Sequence, residues 1–324
     1  MQSRLLAALS LPLFALGALA RTSLAQDSST VGSARVALDI AYVKPLYSTF
    51  TGTAAVVPFV SEHWQVGVSP TWEVDGGIRP YFLAGGADAV VNYFPLADGV
   101  SRPYVGAFVS QRGASYAPGY GAYGFQAGWL RFLSPSIALR TELRFRHDGT
   151  PGAPSSSDLL FAFDPYLFGR ADRSLTTRPA FGVFDATMVA DYAMRPRHTL
   201  SINTTLAPFV TRWLQAGATA NMLFAFYRSS GTHALELFGR GYLPIDKRAI
   251  PFADAFVGNE SIGFNPDTRG SHGARAGVRT YLTPGVALDL ALQWRRFDGE
   301  TTRPERTVRA TLTTQFRAMR ARKR

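Results

Sequence analysis

Hydrophobic and polar residues alternate with a period of two in segment 124–146, GFQAGWLRFLSPSIALRTELRFR. The alternation runs along two strands joined by the Ser-Pro-Ser turn at 134–136. One face of the second strand consists of Leu139, Thr141, Leu143 and Phe145, and the opposite face of Arg140, Glu142, Arg144 and Arg146. This period indicates β-strands and excludes an amphipathic helix, because helical neighbours on one face are three or four residues apart.

The same arrangement recurs in degraded form in segment 273–295, GARAGVRTYLTPGVALDLALQWR. Its second strand again separates apolar from mostly polar side chains: Leu288, Leu290, Leu292 and Trp294 lie opposite Asp289, Ala291, Gln293 and Arg295. The sheet of a soluble protein and the wall of a membrane barrel can both show this pattern. The hairpin alone therefore leaves both classes open.

The whole chain consists of short alternating segments separated by turn residues, eight before segment 169–180 and eight after it. The two sets match in order. Pro58 and Pro208 are 150 residues apart, and Tyr93 and Tyr242 are 149 apart. Ordered matches indicate a tandem duplication. We predict a first eight-strand repeat over 26–168, a joint over 169–180, a second eight-strand repeat over 181–316 and a basic tail over 317–324.

Residues 1–25 have the features of a secretory signal peptide: a basic start, an apolar run over 5–19, and small residues that permit cleavage after Ala20 or Ala25. The run is shorter than the ~20 residues that a membrane-spanning helix requires. The sequence after residue 25 has no continuous apolar stretch of that length. If the mature chain enters a membrane, it must therefore cross it as strands.

Composition restricts the chemistry that the chain can perform. Cysteine is absent, which excludes a disulfide framework and thiolate metal ligands. The net charge of +11 comes largely from arginine, and part of it is concentrated in the tail at 317–324. Basic tails can bind nucleic acid, but behind an export signal we expect a solvated tail or one that contacts anionic lipid or cell-wall polymer. No nucleic-acid partner is predicted.

Four segments resemble the small eight-stranded outer-membrane barrels of Gram-negative bacteria, the OmpA-like and OmpX-like barrels. They are VVPFVSEHWQVGV at 56–68, NYFP at 92–95, PYVGAF at 103–108 and AGWLRFLSPSIAL at 127–139. The resemblance covers nearly all of both halves. It implies the bacterial outer membrane, with its lipids and lipopolysaccharide, as the location, and it implies insertion by the barrel-assembly machinery. Phe316 resembles the terminal aromatic that this class presents to that machinery.

Loop lengths predict the direction of the strands. Short turns at 61–64, 95–103, 134–136 and 283–285 fit the periplasmic side. Longer connections, rich in Gly, Pro, Ser and Asn, are expected to face outward; they are 111–120, 147–158 and 258–270. Aromatic residues near strand ends are expected to form interfacial belts; they are Trp64, Trp72, Trp129, Trp213 and Trp294.

Alternation along the strands also assigns the two faces of the wall. The predicted lumen-facing residues are Arg140, Glu142, Arg144, Arg146, Arg275, Arg279, Asp289, Gln293, Arg295 and Arg309. The predicted lipid-facing residues are Leu139, Leu143, Phe145, Leu288, Leu292 and Trp294. The predicted fold is therefore an all-β, antiparallel transmembrane β-barrel of about 16 strands.

Sixteen strands can close as one ring or as two rings of eight. A ring of eight must fill its interior with side chains, whereas a ring of 16 leaves a water-filled lumen. Inward charges are easier to hydrate in a wide lumen than to pair completely in a narrow one, which favours the single barrel.

The function predicted from this fold is a passive, weakly selective, porin-like pore for small hydrophilic solutes. The first alternative is a closed structural or surface-interaction barrel, and the second is an outer-membrane lipid-modifying enzyme. None of the five histidines has a serine and a carboxylate arranged around it in sequence as a catalytic relay would require. No catalytic, cofactor-binding or metal-binding residue is predicted.

Overall fold

The computed structural model describes fourteen stretches of the chain. They are 33–44, 49–75, 81–96, 100–114, 117–134, 136–149, 155–168, 183–195, 198–226, 230–245, 249–261, 268–283, 285–299 and 304–317. The predicted signal peptide, the joint at 169–180 and the tail beyond residue 317 lie outside the described residues. No helix in the described stretches is long and apolar enough to cross a membrane.

The described residues form sixteen β-strands. In chain order these are β1 Ser33–Lys44, β2 Thr49–Pro58, β3 Trp64–Asp75, β4 Tyr81–Tyr93, β5 Ser101–Ala114, β6 Ala117–Ser134, β7 Ile137–Asp148, β8 Ser156–Phe168, β9 Val183–Arg195, β10 Thr199–Pro208, β11 Leu214–Ala225, β12 Ser230–Tyr242, β13 Ala249–Ser261, β14 Thr268–Thr283, β15 Val286–Phe297 and β16 Glu305–Arg317. Consecutive strands pair antiparallel throughout. The predicted all-β antiparallel barrel of 16 strands is confirmed.

One end of the barrel carries the short turns between β2 and β3 and between β6 and β7, and we call it the inner end. Toward the opposite, outer end, a single ring closes. There β1 pairs with β16 from Asp39↔Thr311 to Lys44↔Arg306, and β8 pairs with β9 from Ser157↔Arg195 to Ala162↔Val189. The outer half of the wall is therefore continuous over all sixteen strands.

Toward the inner end the same four strands take different partners. There β1 pairs with β8 from Ser33↔Phe168 to Arg35↔Tyr166, and β16 pairs with β9 from Thr314↔Ala186 to Arg317↔Val183. Strands β1–β8 thus close one ring and β9–β16 close another, and we call these rings lobe 1 and lobe 2. The structure combines both alternatives: the strands form one ring of 16 toward the outer end of the barrel and two rings of eight toward the inner end.

The two lobes make matching contacts at their inner ends. The backbone N–H of Phe59 donates to the Ser33 carbonyl, and that of Phe209 donates to the Val183 carbonyl, both at 2.8 Å. The N–H of Phe94 bonds the His63 carbonyl, as that of Tyr242 bonds the Trp213 carbonyl, again at 2.8 Å. Tyr242 thus occupies the place of Phe94, and the sequence match of Tyr242 with Tyr93 is wrong by one residue.

Aromatic rings fill each lobe where a facing strand carries glycine. A Cβ added to Gly128 would lie 2.7 Å from the Tyr104 ring, and one added to Gly277 would lie 2.9 Å from the Phe252 ring. These glycines on β6 and β14 are 149 residues apart. Because glycine has no side chain, the ring of the neighbouring strand lies directly against the wall.

The exterior of the barrel wall, the surface that faces away from the lumen, is an apolar band with aromatic residues at both edges. Trp64 and Trp129 are exposed near the inner end, and Tyr123, Phe125 and Trp294 are exposed near the outer end. Exposed aliphatic side chains lie between them, including Val66, Val68, Val105, Val109, Leu237, Val257 and Leu292. Soluble monomers rarely expose so large an apolar surface, whereas lipid-facing barrels present such a band between aromatic girdles.

The outer connections are shorter than the sequence predicts. The segment 111–120 was expected to be a loop, but β5 continues to Ala114 and β6 begins at Ala117. Ladder pairs such as Arg112↔Tyr120 extend the hairpin beyond the apolar band. Glycine and alanine tolerate extended backbone, so this composition did not mark the end of the strands.

Candidate functional site: the interior of the barrel

The interior of lobe 1 contains a ladder of arginines and carboxylates. Arg140 on β7 lies 2.6 Å from Asp164 on β8 and 3.1 Å from Glu142. Arg144, two residues further along β7, lies 3.1 Å from Glu142 and 3.7 Å from Asp88. The alternation of β7 places all its charged residues on one face, so consecutive rungs share partners.

Glu142 is the most deeply buried carboxylate of this ladder, at 1 % exposure. The Tyr104 hydroxyl donates to it at 2.6 Å. With two arginines and a hydroxyl around it, the buried charge is compensated and bonded, which is the condition under which a protein interior tolerates it. Glu142 therefore stabilises the filled lobe rather than lining an open space.

Lobe 2 contains a second ladder with different residues. Arg279 on β14 is fully buried, and its guanidinium lies 2.6 Å from Asp185 on β9 and 2.6 Å from Asp289 on β15. Arg240 on β12 lies 3.0 Å from Asp289 and 2.8 Å from Asp254. Asp185 also accepts from the amides of two glutamines, at 2.8 Å each.

Toward the outer end the lobe 2 ladder continues through residues of β12, β13, β14 and β15. Arg275 lies 2.6 Å from Asp254 and 2.7 Å from Glu236, and Arg295 lies 2.6 Å from Glu236. Each arginine also lies over an aromatic ring; Arg275, for example, is 4.9 Å from the Phe256 centroid. Charge pairs and cation–π contacts thus fill this lobe together.

The structure places the predicted lumen residues on inward positions of β7, β14, β15 and β16. Arg140, Glu142, Arg144 and Arg146 belong to the lobe 1 ladder, and Arg275, Arg279, Asp289 and Arg295 belong to the lobe 2 ladder. Gln293 is buried opposite Arg275, and Arg309 shares the face of the buried Thr307. The expectation that a wide lumen hydrates these arginines is wrong for Arg279, because two carboxylates surround it without water access.

The predicted lipid-facing residues occupy the other face of the same strands. Leu292 and Trp294 are exposed, at 48 % and 40 %. Leu139, Leu143, Phe145 and Leu288 are partly exposed. Phe316 lies between the lobes, where its ring stacks on Phe184 at 5.4 Å and contacts Phe163 of lobe 1 at 5.2 Å. Trp213 packs against the core of lobe 2, and the side chain of Trp72 lies outside the described residues.

An aromatic layer fills the inner end of each lobe. In lobe 1 the rings of Phe59 and Phe94 lie 5.1 Å apart, and Tyr166 lies 6.2 Å from Phe59; all three are 1 % exposed. In lobe 2 Phe209 lies 5.4 Å from Tyr242. Side chains buried to this degree leave no room for a solute to pass between them.

The outer half of the interior is different, because inward side chains there are exposed. On β9 Val189 is 47 % exposed although it faces inward, on the side of the buried Asp185. Asn203 is paired directly with Val189 on one side and Asn221 on the other, and both asparagines are exposed. Thr53 on β2 is also exposed on the inward face. We call the space that these residues line the vestibule; the sequence pattern gave no sign of it.

The described histidines lie near the strand ends. His147 Nδ1 lies 3.1 Å from the Ser155 hydroxyl, a contact that the sequence did not predict because eight residues separate the two. His198 Nδ1 lies 3.0 Å from the Tyr192 hydroxyl, and His272 Nδ1 lies 3.2 Å from Asp298. Within the described stretches, no group of three or more His, Asp or Glu side chains is arranged to hold a metal ion.

Comparison with known proteins finds similarity of structure only. No protein-family model and no curated protein sequence matches the chain. Similar solved structures include BamA from Haemophilus ducreyi lacking POTRA domains 1–3, at 10% identity and a TM-score of 0.46, covering 88% of this chain and 70% of that one. Pseudomonas aeruginosa OccK7 is 7% identical with a TM-score of 0.43, covering 88% and 98% of the two chains.

CdiB from Acinetobacter baumannii is 11% identical with a TM-score of 0.44; the similarity covers 87% of this chain and 60% of CdiB. These three proteins are outer-membrane β-barrels. The chain is thus similar to bacterial outer-membrane barrels at low identity.

Proposed function

We propose that the protein is a β-barrel of the bacterial outer membrane that is closed at its periplasmic end and opens a polar vestibule to the outside. The deep burial of side chains at the inner end of both lobes carries this proposal. Arg279 is 0 % exposed in lobe 2, and Phe59 and Tyr166 are 1 % exposed in lobe 1. Eight-stranded rings are just wide enough for side chains to fill them, so each lobe acts as a seal.

The location is supported by the exterior and by the sequence. An apolar band between aromatic edges is the exterior that a lipid-facing barrel presents. We expect the turns at 61–64 and 134–136 to be periplasmic, and on that expectation the inner end faces the periplasm. We propose that lipids and lipopolysaccharide contact the apolar band, and that the barrel-assembly machinery recognises Phe316. Fractionation of cell envelopes on a density gradient tests the location: recovery with the inner membrane would contradict it.

Conductance in planar lipid bilayers tests the seal. We expect the native protein to give no stable large conductance. Replacing Phe59 and Tyr166 together by Ala should open a leak through lobe 1, because the inner aromatic layer loses two of its rings. Trp129→Ala, on the lipid-facing surface, is the matched control and should not conduct. Stable large openings of the unmodified protein would overturn the proposal.

A passive, weakly selective pore is the second candidate, and the vestibule favours it. Exposed inward side chains such as Asn203 and Asn221 show water-accessible space inside the outer ring. Most inward charges are paired, so a solute path beside them would carry little net charge. Screening acts over ~10 Å at 0.1 M salt, so the basic tail should bias permeation weakly. Reversal potentials in a salt gradient should then show at most a modest anion preference; strong selectivity that survives deletion of 317–324 would refute this.

A further inference from the structure

Four strands exchange partners halfway along the wall. The β1–β8 ladder ends at Arg35↔Tyr166, and the β1–β16 ladder begins at Asp39↔Thr311. On the other side the β9–β16 ladder ends at Ala186, and the β8–β9 ladder begins at Val189. We call this crossing of β1, β8, β9 and β16 the four-strand junction. It divides the single outer ring from the two lobes.

The four ladders have mutually compatible registers. Arg35 pairs with Tyr166 of β8, and Asp185 of β9 pairs with Gln315 of β16. Extending the β1–β16 ladder inward by four residues from Asp39↔Thr311 would bring Arg35 opposite Gln315. Extending the β8–β9 ladder by four residues from Ala162↔Val189 would bring Tyr166 opposite Asp185. The same four residues can therefore pair in either way without a register slip.

The side chains also suit both pairings. Four polar residues at the junction face inward: Arg35, Tyr166, Asp185 and Gln315. The next inward residues along β8, β9 and β16 are Asp164, Thr187 and Thr313, which are also polar. The outward positions between them are Ala34, Val36, Pro165, Leu167, Phe184, Ala186, Thr314 and Phe316. All are apolar except Thr314, whose hydroxyl donates to the Ala186 carbonyl. A one-residue slip would exchange these faces, but the transfer of a strand to its other neighbour keeps them.

We infer that the four-strand junction is a movable gate between the lobes and the vestibule. Moving it toward the inner end transfers β1 from β8 to β16 and β9 from β16 to β8, one residue pair at a time. The ladder bonds that are lost are replaced by bonds to the other neighbour, except at Pro165, which has no N–H to donate to Ala186. The wall between the lobes then opens, and the outer ring extends as one lumen toward the periplasm. This inference rests on the proposed closed state and supplies its route of opening.

The apolar contact between the lobes is compatible with such movement. Phe316 and Phe184 of lobe 2 meet Phe163 of lobe 1 on outward positions. After transfer the same rings would face lipid chains. Lipid is as apolar as a neighbouring lobe, so no hydrophobic force holds the two lobes together in the membrane.

Cysteine pairs can trap each position of the junction, because the natural chain has no cysteine. A34C/L167C joins residues that are paired in the lobe 1 ladder. A34C/F316C joins residues that become paired only after transfer of β1 to β16. L167C/F184C is the corresponding transferred pair on the opposite wall, and it replaces A34C/F316C if that variant does not fold. V105C/A127C, an ordinary outward pair of β5 and β6, is the control that must cross-link in any folded barrel.

We expect both A34C/L167C and A34C/F316C to cross-link in the full chain folded into lipid vesicles, as shown by a gel shift that reductant reverses. The A34C/F316C cross-link should produce a steady conductance in planar bilayers, whereas the A34C/L167C cross-link should abolish openings. Cross-linking of A34C/L167C alone would show a fixed junction, and that of A34C/F316C alone would show a single ring throughout; either result overturns the gate. An absence of both cross-links beside a positive control overturns it as well. Conductance of the unmodified protein separately tests the closed state.

Discussion

Arg279 is the interior residue whose removal should destabilise lobe 2 most clearly. It is fully buried, and its guanidinium contacts the carboxylates of Asp185 and Asp289, both at 2.6 Å. Replacing it by Met keeps an unbranched apolar chain but removes the positive charge that lies between the two aspartates. Removing one partner of a buried ion pair costs about 3–5 kcal/mol, because the remaining charge is left uncompensated.

The surroundings place Arg279→Met at the lower end of that range. Asp289 keeps Arg240 at 3.0 Å. Asp185 keeps two amide donors, from Gln215 and Gln315, at 2.8 Å each. We therefore expect a loss of about 3 kcal/mol in the free energy of unfolding. Lobe 1 has Leu130 at the corresponding place, 149 residues earlier, which shows that this layer accepts an apolar side chain once the acids are absent.

Urea unfolding in lipid vesicles, followed by tryptophan fluorescence, measures this loss as a lower midpoint with unchanged slope. Adding Asp185→Asn and Asp289→Asn to Arg279→Met should recover at least half of it, since no carboxylate at these positions then remains unpaired. The exposed Arg296 is the matched control, and Arg296→Met should change stability by less than about 0.5 kcal/mol. A loss below about 1 kcal/mol for Arg279→Met would refute the view that Arg279 holds a dry ion-pair centre.

Further substitutions test the faces and the packing of the wall in the same unfolding assay. Leu292→Arg should cost about 2–4 kcal/mol near the bilayer midplane, whereas Asn203→Arg in the vestibule should be mild; equal costs would contradict the assigned faces. Gln293→Arg should cost more than Asn203→Arg, because Gln293 is buried opposite Arg275. Gly124→Val should cost at least about 1–3 kcal/mol, because its Cβ would meet the backbone carbonyl oxygen of Phe145 and would also lie 2.7 Å from the Phe108 ring. Combined with Phe108→Ala it should cost less than the sum of the two changes; simple additivity would contradict the contact.

The alternation of side chains was sufficient to predict the strands and their faces. On β7 every second residue is charged, and this period places Arg140, Glu142 and Arg144 on one face whatever the ring size. The burial of those residues could not be predicted from the alternation. It depends on which strands lie across the interior, and the partners of Arg140 and Arg144 on β8 and β4 are 24 and 56 residues away in sequence.

Ring closure could not be predicted from local pattern because both closures satisfy it. The four junction strands β1, β8, β9 and β16 keep the same apolar and polar faces with either neighbour. The period of the sequence therefore does not indicate which neighbour each strand takes. The vestibule was missed for a related reason. Ser, Asn and Thr on β9–β11 read as ordinary inward polar residues, and their exposure arises only where the lobes merge into one ring.

Pro165 is the one residue on β8 whose chemistry marks the four-strand junction. Between Ala162, the last partner of β9, and Tyr166, the first partner of β1, β8 pairs only with β7. The N–H of Tyr166 donates to the Ser136 carbonyl on the β7 side, at 2.8 Å. Successive residues of a strand direct their N–H groups to opposite sides, so a donor at position 165 would point toward the junction. Proline has none, and lobe 1 pairing stops there.

Pro165→Val should supply the missing N–H in either position of the junction. Position 165 lies opposite Val36 of β1 when the lobe 1 ladder is extended by one pair, and opposite Ala186 of β9 after transfer. The added hydrogen bond contributes about 1 kcal/mol, and the loss of proline rigidity in the unfolded chain offsets about 0.4–1 kcal/mol, so overall stability should change little. The ratio of A34C/L167C to A34C/F316C cross-linking should also stay the same, because the new N–H has an acceptor in both positions. A change of roughly fivefold in that ratio, which corresponds to about 1 kcal/mol, would show that the added bond forms in one position only.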